Sequence, residues 1–509
     1  MECGFRFHVD ENISRLAWCA VLERGKYADV YCGAGVACVR DAFVEGAWNG
    51  NYADMDFERA DFLCGSGGKI IREGGERYCF ATPGHVLEKL VLIKRDGRLY
   101  VSNSVPFALA WSGCRLDTEY AGYERDFSSI LNGLDAYKRE IPLAEGMTLS
   151  CYYYCNLFIS PEGDVRAEEK QRPQPVLSYE DYMAALLADM RKLKDNAKDA
   201  ARRNRYGLVT TVSSGYDAAA CSAVARRLGC ETALTFDRPQ KYADDCGDGV
   251  AKRLGYQHII KKDADAYRRR EDLVEAEHVC SGELGTSIIF SAFEQEFRDN
   301  LVFYGERGDK LWNKNWPSPN DRFVFEGEMY AGISMCEARL RIGFILVPMP
   351  LYKAAVWTSI HALSNSLEMA AWSVGGRYDR PIPRRMVEEA GVERELFGQR
   401  KKGAGFNYHY DTLKRLKTRM SETSYNSFVR YYRAHRRRGQ TGRLLCYYCS
   451  SAPDYLNYFF RKLGIKKRIA VRDRQLDNPG APSYLTGWGM EILTKRYLAA
   501  QTKRDARAS

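Results

Sequence analysis

Between residues 207 and 305 short apolar runs alternate with helical stretches, and this alternation constrains the fold more than any other feature. GLVTTV (207–212) has the length and β-branched content of a buried strand, and the helical DAAACSAVARRLG (217–229) follows it. ALTF (233–236) and then DDCGDGVAKRLG (244–255) repeat the pattern, and HIIKK (258–262) and LVFYG (301–305) continue it. Strands separated by helices pair in parallel, so this region predicts a parallel α/β sheet. The stretch 179–203 reads as a further helix, and 352–395 as mainly helical.

Before this region the chain has a different character. Residues 1–160 are β-rich, with strand-like runs such as VLIKRDGRLYVSNS (91–104) and MTLSCYYYCNLFIS (147–160). Asp96-Gly97 sits between two such runs and predicts a two-residue hairpin turn. The polar stretch from Ser160 through RAEEKQRPQP (166–175) carries three prolines and reads as a linker. A chain of 509 residues is long enough for about two to four domains. The expected division is a β-rich domain over 1–165, an α/β domain over 176–405 and a basic extension over 406–509.

Charge sharpens that last boundary. Residues 401–509 hold 24 Lys/Arg against 7 Asp/Glu, a net of +17, so residues 1–400 carry −7 of the overall +10. A basic extension on an acidic body has two readings: a nucleic-acid surface, favoured by the tyrosines interleaved with 433–443 and 461–468, or a solvated cover for the acidic body.

The turn after the first strand of the α/β region, Ser213-Ser214-Gly215-Tyr216-Asp217, carries the chemistry. Small residues between a strand and a helix N-terminus let backbone N–H groups approach a phosphate, with the helix dipole favouring the anion. Asp217 is placed to hold a metal that bridges phosphates; equally, Ser and Asp here are common helix caps. Gly305-Glu306-Arg307-Gly308-Asp309 also follows a strand, at the sheet edge where α/β proteins bind ligands. Cys336-Glu337-Ala338-Arg339, RYDRPIPRR (377–385) and the basic loop ELFGQRKKGAG (395–405) come next, and an acidic helix start at Asp244-Asp245 follows the second strand.

In this order and spacing the segments resemble the asparagine synthetase-like family, across about residues 180–405. The loop S-S-G-Y-D-A is similar to that family's S-G-G-x-D-S pyrophosphate loop, matching at Ser213, Gly215 and Asp217. Gly305-Glu306-Arg307-Gly308-Asp309-Lys310 resembles G-E-G-x-D-E, Glu337-Ala338-Arg339 resembles E-A/V-R, and QRKKGAG resembles R-x-K-K-G-F. The resemblance implies an adenine nucleotide alpha hydrolase-like (PP-loop) synthetase domain after a diverged, β-rich Ntn-hydrolase-like α+β domain. ATP and Mg²⁺ are the implied cofactors. Ser213, Ser214, Gly215 and Gly305 would cradle ATP, and Asp217 and Asp309 would ligate Mg²⁺. Glu306 and Glu337 would flank the substrate carboxylate and amine, and Lys401 would stabilise developing charge, with Lys402 its solvated neighbour.

Two departures stand out. Ala218 replaces the last Ser of the loop, and Lys310 reverses the charge after Asp309. At the N-terminus the family's glutamine-dependent members open Met-Cys-Gly, whereas this chain opens Met1-Glu2-Cys3-Gly4. Met is trimmed before small residues, so Cys3 is not expected to become the N-terminal nucleophile. The implied activity is an ATP-dependent, AMP-forming amide ligase acting on a small-molecule or peptide substrate without glutaminase chemistry. The alternatives are another PP-loop ATP pyrophosphatase acting on a sugar, peptide or RNA, and a non-catalytic binding protein.

The remaining signals bound the setting. No apolar run reaches the length of a membrane-spanning helix. Sixteen Cys without an export signal read as reduced thiols in a cytoplasmic protein. The lone CxxC, Cys446 to Cys449, lacks a second ligand pair, and the seven His show no metal spacing.

Overall fold

A computed structural model describes residues 3–120, 122–238, 245–325, 334–402, 407–408, 411–436 and 484–508, with scattered positions between 452 and 469. The β-rich N-terminal region forms two sheets. The first contains β1 (Phe5–Val9), β2 (Trp18–Glu23), β3 (Ala28–Cys32), β8 (Leu90–Arg95), β9 (Arg98–Ser102), β10 (Glu140–Pro142) and β11 (Thr148–Tyr152), in the order β1-β3-β2-β9-β8-β11-β10. The second contains β4 (Ala37–Val39), β5 (Ala42–Trp48), β6 (Leu63–Ile71), β7 (Arg77–Ala81), β12 (Cys155–Ile159) and β13 (Val165–Glu169), in the order β13-β12-β7-β6-β5-β4. Alternating side chains of both sheets meet in one core, with Trp18, Val30 and Val101 packed with Phe43, Phe80 and Leu157.

The hairpin at Asp96-Gly97 forms as the sequence predicts. Both residues have positive φ, 50° and 74°, and Arg95 pairs with Arg98, so the turn twists with its strands. The run 147–160 is split between the sheets. β11 joins the first and β12 the second, and Tyr154 turns the corner with φ 48°. The linker expected over 160–175 is shorter than that. Residues 165–169 form β13, an edge strand whose charged side chains keep it from pairing outward. The connection to the α/β region therefore spans 170–178.

That region carries a five-stranded, wholly parallel sheet of β14 (Gly207–Thr211), β15 (Thr232–Arg238), β16 (His258–Asp263), β17 (Asn300–Tyr304) and β18 (Ile345–Pro348). Their spatial order is β16-β15-β14-β17-β18. The chain builds outward from β14 to one side, then returns to build on the other. The order reverses between β14 and β17, leaving a crevice at their carboxyl ends. The helix Tyr179–Lys198 buries Leu186, Met190 and Leu193 at helical spacing.

The two regions are joined by buried charge. Arg339, in the helix Cys336–Ile342, donates to both oxygens of Glu45 at 2.7 and 3.1 Å and to both of Glu88 at 2.7 and 2.8 Å. Arg339 thus forms a buried ion-pair cluster between the two regions. The C-terminal segment also belongs to the body. The Tyr497 ring, in the helix Leu485–Ala508, stacks on Phe107 at 4.5 Å, and Arg496 binds Glu277. The basic tracts 433–443 and 461–468 and the Cys446–Cys449 pair lie largely or wholly outside the described residues. Among the described residues no helix is long and apolar enough to cross a membrane.

Replacing Arg339 by Ala strands two buried carboxylates, so unfolding in urea should show a loss of about 3–5 kcal/mol. Replacing a surface arginine such as Arg166 should change stability by no more than about 0.5 kcal/mol.

Candidate functional site

Three loops meet at the carboxyl edge of the parallel sheet, and glycine lets them do so. A Cβ on Gly308 would lie 2.7 Å from the Asp217 carboxyl carbon, and one on Gly305 would lie 2.9 Å from the Ala218 nitrogen. A Cβ on Gly247, after β15, would lie 2.6 Å from the Val212 carbonyl carbon. The β17 loop is therefore in van der Waals contact with the first turn of the helix Tyr216–Arg227. Gly305 owes its place to this packing, with no side chain interposed.

The turn Ser213–Gly215 enters that helix with Gly215 at the cap, and no side chain caps it. The Gly215 N–H bonds to Ser213 Oγ at 3.1 Å. Ser214 is more heavily used. Its Oγ donates to Asp245 at 3.0 Å and accepts from Lys402 Nζ at 2.9 Å, while its carbonyl accepts from the Gly398 N–H at 2.8 Å. The basic loop thus closes over the turn. Lys402, read from sequence as a solvated neighbour, is bound to it, because the Gly398 contact brings the loop's backbone down onto Ser214.

Asp217 and Asp309 lie on the facing loops, and each holds a cation. Arg380 Nη1 donates to both oxygens of Asp217 at 3.0 Å, and Arg380 Nη2 reaches the Asp309 carbonyl at 3.4 Å. Lys401 Nζ lies 2.9 Å and Lys310 Nζ 3.3 Å from the Asp309 carboxylate. Burial pushes the Asp217 carboxyl up, against the pull of Arg380 and Lys401. Burial acts the same way on Asp309, but Lys401, Lys310 and Arg380 outweigh it and hold that carboxyl well below the usual range. Arg380 is the site residue that sequence reasoning missed. The segment RYDRPIPRR attracted notice, but nothing in it distinguished one of four arginines. Packing does, by burying Arg380 over the Tyr378 ring at 4.7 Å with its head on Asp217.

The crevice therefore brings together Ser213, Ser214, Gly215, Asp217, Gly305, Asp309 and Lys401, all expected from the sequence. Glu306 sits in the same β17 loop, half-buried beside Arg307 Nε at 3.5 Å. Glu337 points elsewhere. Both of its oxygens accept from Ser104 Oγ at 3.0 Å, at the cap of the helix Val105–Ser112 in the N-terminal region. Burial, only partly offset by that hydroxyl, pushes its carboxyl up to about 8. Asp244 lies outside the described residues.

A carboxyl with a raised pKa in the fold is most favourable when protonated. Its contribution is intact below the unfolded value near 4.5 and lost as pH rises toward 8. Glu337→Gln should therefore gain stability relative to the parent between pH 5 and pH 8 and level off above that, as measured by urea midpoints across pH. A pH-independent difference would contradict burial of this carboxyl in its protonated form. No family model matches the chain and no curated protein is significantly similar to it, so the crevice is interpreted from its own geometry.

Proposed function

We propose that the protein is an ATP-dependent, AMP-forming ligase of the asparagine synthetase-like kind, joining a substrate carboxylate to an amine. The observation that carries this reading is the meeting of the Ser213–Asp217 turn, the Gly305–Asp309 loop and the Lys401–Lys402 loop at one switch point. In this reading the α/β region is a PP-loop synthetase domain and the β-rich region a diverged Ntn-hydrolase-like domain. Cys3 supports the absence of glutaminase chemistry, because its backbone N–H is bonded to Glu76 at 2.8 Å and its thiol is buried.

The residues divide the work as follows. The uncapped first turn of the helix Tyr216–Arg227 and the Ser213 hydroxyl receive phosphate oxygens, while Ser214 holds Asp245 and Lys402 beside them. Lys401, about half exposed, can swing from Asp309 to the phosphates, and Lys402 flanks them. These cations offset the charge of the pyrophosphate that leaves when the substrate carboxylate attacks the α-phosphorus. The amine then attacks the acyl carbon and AMP departs. Glu306, in the β17 loop, is the group assigned to take the amine proton. Glu337, bonded to Ser104, is assigned to the domain junction instead.

The donor set fits Mg²⁺ through one carboxylate. Asp309 would hold the ion in place of Lys401, since Mg²⁺ is usually bound through only one or two carboxylates. Asp217 has both oxygens on the buried Arg380, and in this reading it orients that guanidinium toward the phosphates. Bound Mg²⁺ would supply charge neutralisation on the leaving pyrophosphate.

The pairing of Asp217 with Arg380 and of Asp309 with Lys310 is also what a non-catalytic nucleotide-binding protein would carry. ATP–pyrophosphate exchange, run against a panel of amino acids, peptides and sugar acids, separates the two. Exchange should appear with at least one carboxylate and fall at least 100-fold in both Asp309→Asn and Lys401→Ala. ATP binding without exchange on any substrate, or exchange that survives both changes, overturns the ligase reading.

A further inference from the structure

At the opposite edge of the parallel sheet, five arginines from separate parts of the chain line one cavity of about 550 Å³. Arg15 comes from the N-terminal region, Arg203 from the segment entering β14, Arg298 from the segment entering β17, Arg341 from the helix Cys336–Ile342 and Arg496 from the C-terminal helix. Glu11 is the one carboxylate in the lining. Five-residue strands at about 3.3 Å per residue place this edge roughly 16 Å from the crevice.

Fold stability accounts for part of the cluster. Arg341 is bound to Glu277 and Glu294, Arg496 to Glu277, and Arg15 to Asp299 at 2.5 Å. Arg15 and Arg496 each use a single Nη in these pairs, so other N–H groups of both forks remain for a ligand. Arg203 and Arg298 are exposed and make no side-chain hydrogen bond or ion pair among the described residues. Gathering guanidinium groups around one cavity costs repulsion that the protein's own carboxylates offset for three of the five. A bound anion would offset the rest.

We infer that this cavity is a second binding site, taking a compact phosphorylated small molecule with two or more phosphate groups. The guanidinium fork matches phosphate oxygens two at a time, and donors converging from several directions suit a polyphosphate better than a single carboxylate. The volume falls in the range of small-ligand pockets. Both pyrophosphate and a nucleic-acid backbone present such phosphates, and the test separates them.

Pyrophosphate binding is measured by calorimetry on the full chain carrying Lys401→Ala and Lys402→Ala, which disables the crevice and isolates the second site. Pyrophosphate should bind with one site per chain, weaken with added salt, and weaken at least tenfold further when Arg203→Ala and Arg298→Ala are added. In the otherwise unchanged protein, Arg203→Ala/Arg298→Ala should leave ATP binding at the crevice unchanged. The inference is overturned if pyrophosphate does not bind at millimolar concentration in the crevice-disabled chain. It is also overturned if binding is indifferent to Arg203 and Arg298, or if a single-stranded oligonucleotide binds through them and pyrophosphate cannot displace it. None of these outcomes depends on whether exchange occurs, so this site and the ligase reading fail separately.

Discussion

Backbone contact between the β17 loop and the first turn of the helix after β14 is the constraint on which the crevice depends. With Gly308 against the Asp217 carboxyl carbon and Gly305 against the Ala218 nitrogen, neither position has room for a side chain. That approach puts Asp217 and Asp309 in one electrostatic environment and draws Arg380, Lys310 and Lys401 to them. Any side chain at either glycine would separate the carboxylates and scatter the cations. The opposite displacements of the two carboxyl groups follow from this crowding: one is dominated by burial, the other by three positive neighbours.

A second layer of charge lies beneath the first. Arg339 binds two buried carboxylates of the N-terminal region, and Glu45 also accepts from Ser66 and Asn103. Glu277 collects Arg341 and Arg496, and Glu275 collects Ser421 and Ser424. These groups lie where the β-rich region, the α/β region and the C-terminal helices adjoin. Once buried, each carboxylate requires its partner, so the three parts of the chain are held in register by desolvated pairs as well as by apolar packing. The C-terminal helix, with Tyr497 stacked on Phe107, is part of this arrangement.

Local patterns announced much of the fold. The strand–helix alternation of 207–305 was legible because short runs such as GLVTTV, ALTF and LVFY are apolar and set between helical stretches. Asp96-Gly97 announced a hairpin because few other pairs take positive φ at both positions. The linker expected over 160–175 was drawn too long because β13 is an edge strand, and a charged, exposed edge has the composition of a linker. Tyr154 hid the passage from one sheet to the other, since a non-glycine residue gives little sign of a left-handed backbone.

The sequence by itself determined the periodic elements and the residue types at the strand ends. Hydrophobic period and turn chemistry are local properties, and Ser213–Asp217 and Gly305–Asp309 are each contiguous. Tertiary structure alone decided which charges meet. Arg380 is 163 positions from Asp217, and Glu337 is 233 positions from Ser104. The five arginines of the second cavity come from five separate stretches of chain. Charge pairing depends on distance in space and on local burial, and neither quantity exists until the sheet has brought its loops together.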